Sequence, residues 1–147
     1  MELSEETTTA AEALARFRGD RGITASGDDA ARFIVPIGPL RLSFPNPGKL
    51  RLHDLHHILS GYDNDLLGEA EVSCLELRGG GLNWIITVLC LGAIALGLLL
   101  APRRMLRAWR AAKGVRTVYS LPHTEAEILS WSLARLRAEL RIPAPAS

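Results

Sequence analysis

The chain has 147 residues, 48% of them apolar, with 17 Lys and Arg against 16 Asp and Glu. That suits one domain with one modest core and excludes a disordered chain. A net charge of +1 names no partner, and two cysteines at unrelated positions do not make a disulfide scaffold.

Charge is distributed more tellingly than its total suggests. Residues 62–81 carry Asp63, Asp65, Glu69, Glu71 and Glu76 against a single Arg78. Residues 102–121 carry Arg103, Arg104, Arg107, Arg110, Lys113 and Arg116 and no acid. The acidic opening, Met1-Glu-Leu-Ser-Glu-Glu6, is unlike a basic signal or transit peptide, so neither is expected.

In chain order, residues 4–18 are rich in Ala, Glu and Leu and predict a first helix, ended by Gly19 and Gly22. Residues 19–30 read as a polar loop. This N-terminal segment, 1–30, precedes a helical domain over 31–147. Residues 33–37 and 40–44 are apolar and β-branched and are separated by Gly38-Pro39, which predicts a hairpin or an extended arm. Residues 45–48 form a turn. Residues 50–60 predict a helix stopped by Gly61, and an Asp or Asn of the loop 61–65 caps a second helix over 66–78. After Gly79-Gly80-Gly81 comes an uncharged apolar run, 82–101. Pro102 opens a basic amphipathic helix over 103–113. An extended link, 115–121, leads to a Thr124/Glu127 capping box. The helix it opens runs to residue 140, with Leu129, Leu133, Leu136 and Leu140 on one face. The fold class is therefore all-α, with a short extended arm near the start.

Three of the four histidines lie between positions 53 and 57. On a helix His53 and His57 stack on one face, and Asp54 borders it. Leu52, Leu55, Ile58 and Leu59 occupy the other side and belong to the core. His57 lies one turn before the end of its helix, and Glu69 lies one turn into the next. An antiparallel helix hairpin would therefore bring His53, Asp54, His57 and Glu69 together. Two imidazoles and two carboxylates suit zinc or another first-row divalent ion. The same residues also have plainer readings: Asp54 pairing with Arg51, and Glu69 favouring a helix start. His56 points away from the pair and is read as a surface residue or a partner of a ligand. His123 has no assigned role. Cys74 and Cys90 are read as buried free thiols.

His-x-x-x-His is also the zincin spacing, but a zincin needs Glu after the first His, and Asp54 stands there. His-Asp metal-dependent phosphohydrolases need a further upstream His, and His53 is the first in the chain.

The pattern His53-Asp-Leu-His-His57, eleven residues and Glu69 resembles the His-Asp-x-x-His-x11-Glu signature of the Coq-four family of ubiquinone biosynthesis. Ile58-Leu-Ser-Gly61 and Leu67-Gly-Glu69 are similar to the surrounding words, and Glu76 sits where the family often has an acid. Val118-Tyr119 and residues 133–140 are similar to its closing segment. The resemblance implies an all-helical fold and a divalent metal, zinc by expectation, on His53, Asp54, His57 and Glu69. It further implies work at a membrane, such as the bacterial inner membrane, on a lipid-tailed quinone precursor. The activity implied is oxidative decarboxylation at ring C1, with those four residues as the catalytic set. The other implied role is a non-catalytic lipid-binding scaffold that organises quinone-biosynthesis proteins. The lead-in 44–48 is richer in Pro, and the apolar run cleaner, than in that family.

Read alone, 82–101 is long enough for a transmembrane helix, with Trp84 as interfacial anchor and Arg103 and Arg104 on the cytoplasmic side. The alternative is a helix partly buried in the domain and partly dipped into the bilayer. For the basic helix, with Met105, Leu106 and Trp109 among its arginines, the expected partner is anionic lipid. The acidic first half of the chain argues against nucleic acid.

Overall fold

The structure is a computed structural model that describes residues 5–23 and 30–145. Most of it is helical, with one small sheet. Residue 4, the expected helix start, and residues 24–29, half of the loop 19–30, lie outside the described residues. Residues 5–9, expected to be helical, precede the first helix, with a turn over 5–7.

Helix α1, Ala10–Asp20, begins at a Thr9/Glu12 capping box. Thr9 supplies one orphan helix donor with an acceptor, and Glu12 returns the favour to the Thr9 amide. Strands β1, Arg32–Ile37, and β2, Leu40–Pro45, form an antiparallel hairpin in which Ile37 pairs with Leu40. Gly38 takes φ 56° in the tight turn between them, where a side chain would be strained. The hairpin over 33–37 and 40–44 is thus present, beside a mostly helical fold.

Helix α2, Leu50–Ser60, ends at Gly61 in the left-handed conformation, φ 74°. Helix α3, Leu66–Gly79, is capped by the Asp65 carboxylate, which accepts from the Gly68 amide at 2.7 Å. Helix α4, Trp84–Leu100, is followed by α5, Pro102–Ala111. A 3-10 turn, Val118–Ser120, leads to α6, Glu125–Ser130, and α7, Leu133–Leu140.

The main core gathers Leu14 of α1, Leu52, Leu55 and Leu59 of α2, Val118, Ile128 of α6, and Leu136 and Leu140 of α7. The N-terminal helix therefore shares its core with the rest of the domain. A second cluster joins α3 and α5 through Ala70, Cys74, Met105 and Ala108, with Ala93 and Ile94 of α4 packed against it. Helix α3 lies between the two clusters and is buried from Ala70 to Glu76. Its Glu71 is neutralised there by a two-pronged pair with Arg104 of α5, both contacts at 2.7 Å.

Two sequence expectations are corrected by this packing. The single helix to residue 140 is broken at Trp131, whose backbone is extended (ψ 152°). The Ala10 amide donates to the Trp131 carbonyl at 2.8 Å and the Leu133 amide to the Thr8 carbonyl at 3.0 Å. This bridge to the N-terminal segment replaces one helical turn, and the Ser132 side chain caps the new helix.

The apolar run 82–101 is also shorter as a helix than as a sequence. Asn83, uncharged and so invisible to a charge count, caps α4 by accepting from the Ile86 amide at 3.0 Å. Ala101 and Pro102 end it. Seventeen residues at 1.5 Å each reach about 25 Å, short of a ~30 Å hydrocarbon core. Among the described residues no helix is long and apolar enough to cross a membrane. Instead α4 packs along α3, and a side chain at Gly97 would meet Ala70 at 2.8 Å and Met105 at 2.5 Å.

Candidate metal centre

Helix α2 places its leucines in the main core, which turns His53 and His57 toward α3. The Asp65 cap starts α3 so that Glu69 falls in its first turn, where the helix dipole favours a carboxylate. Arg137 of α7 fixes the last turn of α2 by donating to the carbonyls of Leu59 (3.0 Å) and Ile58 (3.2 Å).

Three donors converge. Nε2 of His53 lies 3.3 Å from Nε2 of His57 and 3.1 Å from Oε2 of Glu69. Nε2 of His57 lies 3.2 Å from Oε1 of Glu69. Ligands held at 2.0–2.1 Å in a tetrahedron stand about 3.3 Å apart, so these spacings fit a first-row ion. Among the described residues His53, His57 and Glu69 form the one group able to hold a metal. Two histidines and one carboxylate on one face would leave further coordination positions open, as in catalytic rather than structural metal sites.

The ring orientations suit that role. Nδ1 of His57 donates to the Tyr62 carbonyl at 3.2 Å, which leaves Nε2 as the lone pair. Nδ1 of His53 lies 2.8 Å from Oε1 of Glu76, with the same consequence. Both imidazoles thus turn Nε2 toward Glu69.

The fourth expected ligand is placed apart. Asp54 lies 3.7 Å from the Arg18 guanidinium of α1, and burial raises its pKa against the pull of His53 and Arg18. Arg51, its expected partner, instead faces Glu125 at 3.2 Å. Asp54 borders the site without joining the three donors.

The electrostatics are those of donors held together without an ion. Burial opposes charge on His53, yet the Glu76 and Glu69 carboxylates outweigh it and raise its pKa well above 6.5. Burial would raise Glu69 too, but the hydrogen bond with His53 and the adjoining His57 imidazole bring it down to about 2. Glu76 is likewise held well below the carboxylate range, its burial offset by His53 and His56. A proton on His53 therefore occupies the space a cation would fill.

The sequence reading gave Glu76 no direct role and allowed His56 a place on the surface. His56 is fully buried (0% exposed), with Nδ1 2.7 Å from Glu76. Glu76 also accepts from the Tyr119 hydroxyl at 2.8 Å. One signal for it was available: Glu69 and Glu76 are seven apart, two turns on one helix face. His123 packs edge-on against Trp131 at 4.8 Å, away from the histidine cluster. Cys74 and Cys90 are free and buried, as read, and Cys90 of α4 closes the floor 3.5 Å from Glu76. No protein-family model matches the chain, and no curated protein matches it.

Proposed function

We propose that the chain is a membrane-associated protein that holds a divalent metal ion on His53, His57 and Glu69 and acts in prenyl-quinone biosynthesis. The observation that carries the metal reading is the meeting of two imidazole Nε2 atoms and one carboxylate within 3.3 Å of one another. The quinone reading rests on the resemblance of His53 to Glu69 to the Coq-four signature. A divalent ion such as zinc, held there, would supply Lewis-acid polarisation of a substrate carboxylate or ring oxygen. His53 and His57 supply neutral donors, Glu69 supplies charge, and the Asp54–Arg18 pair lines the rim with both signs. The substrate class is a carboxylated phenol with a polyprenyl tail, and the reaction class is oxidative decarboxylation at ring C1.

Membrane association is supported by the outer face of α4. Trp84, Val88, Leu91, Leu98 and Leu99 recur at helical spacing and are all exposed, Leu99 by 82%. A continuous apolar stripe of this kind on a surface helix marks an interaction face. Arg103, Arg107 and Arg110 of α5 are exposed next to its end, which favours an anionic lipid surface lying along the helix over a protein groove.

That stripe also favours a second reading, a scaffold that binds lipid and partner enzymes without turnover. Zinc-loaded protein incubated with a carboxylated polyprenyl phenol and dioxygen, the oxidant and oxygen source that the reaction class needs, separates the two. Turnover lost in His57→Ala and Glu69→Gln supports the enzyme. Stoichiometric metal without turnover, and assembly that survives both substitutions, supports the scaffold.

A further inference from the structure

Glu76 is 1% exposed, and four groups reach it. Nδ1 of His53 (2.8 Å), Nδ1 of His56 (2.7 Å) and the Tyr119 hydroxyl (2.8 Å) meet Oε1, while the Cys90 thiol meets Oε2 at 3.5 Å. The direction of these bonds can be read from the far end. The Val118 amide can only donate, and it points at Nε2 of His56 at 3.1 Å. Nε2 of His56 is therefore the acceptor, and its proton sits on Nδ1, aimed at Glu76. Tyr119 donates to the same oxygen. Facing an ionised carboxylate, Nδ1 of His53 must donate as well, and its Nε2 is the nitrogen left toward His57 and Glu69.

We infer that Glu76, His56 and Tyr119 are positioning residues of the metal centre, which set the tautomer and tilt of His53 from the 3-10 turn at 118–120. The inference rests on the metal reading. A carboxylate behind a ligating histidine fixes the ring and raises its basicity, and losing such a partner weakens metal binding about 10–100-fold. A buried polar cluster that served only the core would leave metal affinity unchanged once the protein had folded. The cluster links the ligand His53 on α2, through Glu76 and His56, to the main-chain amide of Val118, which lies 62 positions beyond His56 in sequence.

The test is zinc affinity by competition with a chromophoric chelator, on the unmodified chain, Glu76→Gln and Tyr119→Phe, each checked for helical circular dichroism and a cooperative melt. The unmodified chain is expected to bind one zinc ion. Glu76→Gln is expected to bind it about 10–100-fold more weakly, and Tyr119→Phe to lose a smaller factor. Long-range proton–nitrogen spectra of the histidine rings in the unmodified zinc-loaded protein give a second measurement that needs no variant. They are expected to show the proton of His53 and of His56 on Nδ1. A folded Glu76→Gln with unchanged zinc affinity overturns the inference, and so does a His53 ring protonated on Nε2. Failure of the unmodified chain to bind zinc would instead overturn the metal reading, and this inference with it.

Discussion

At the scale of single residues the site is an arrangement of charges that repel or desolvate one another unless something positive sits among them. In the metal-free protein that something is a proton on His53, between Glu69 and Glu76. On the proposed reading, zinc would have to displace it. Zinc affinity is therefore predicted to fall by about tenfold per pH unit as the pH drops below the raised pKa of His53, measured by chelator competition. Without metal the sign reverses. A raised folded-state pKa contributes stability that is full below the unfolded value of 6.5 and is lost as pH rises through the folded value. The melting temperature of the metal-free protein is predicted to fall as the pH rises from 6.5 through the raised value of His53, and that slope is predicted to vanish with zinc bound. A slope unchanged in His53→Gln would contradict this account. Much of the site was legible, because i, i+4 spacing places His53 and His57 together in any helix. Glu76 and His56 were not, since their role depends on Val118 and Tyr119 folding back from far along the chain. Asp54 was misplaced for a related reason, since its neighbour Arg18 comes from another helix.

At the scale of elements, boundaries followed local chemistry wherever local chemistry decided them. Helix α2, read as 50–60, is Leu50–Ser60, because Gly61 can take the left-handed stop that other residues resist. The capping box at Thr124 is present for the same reason. The break at Trp131 was hidden because it is imposed by pairing with Thr8 and Ala10. The α3–α4 contact depends on Gly97, whose missing side chain lets Ala70 and Met105 close in. Gly97→Ala is predicted to destabilise the protein by about 1–3 kcal/mol through overpacking, read by urea denaturation. A change within experimental error would mean that α3 and α4 do not pack as closely as described. Because Cys90 of α4 touches Glu76, the same variant is predicted to weaken zinc binding as well.

At the scale of the whole molecule the apolar and basic surfaces sit side by side. Helix α4 is too short to cross a bilayer, yet it leaves one side bare of partners among the described residues. An apolar run counted without its Asn83 cap and Ala101-Pro102 stop reads three residues longer than the helix it forms, which is why the sequence suggested a span. In-plane docking on anionic lipid makes two demands. Trp84 emission is predicted to shift to the blue on mixing with phosphatidylserine-containing vesicles and not with neutral phosphatidylcholine alone. Arg103→Gln with Arg107→Gln is predicted to weaken that binding roughly 30-fold, at about 1 kcal/mol for each basic residue near the surface. Binding to neutral vesicles of equal strength would leave the arginines without a role in it.

The claim beneath the rest is that α2 and α3 together hold one ion. Elemental analysis of the purified, zinc-equilibrated protein tests it most directly. One zinc per chain is predicted, falling to background in the His57→Ala, Glu69→Gln double variant with the helical fold retained. A folded, unmodified chain that carries no stoichiometric metal, or a double variant that carries as much as the original, would contradict it.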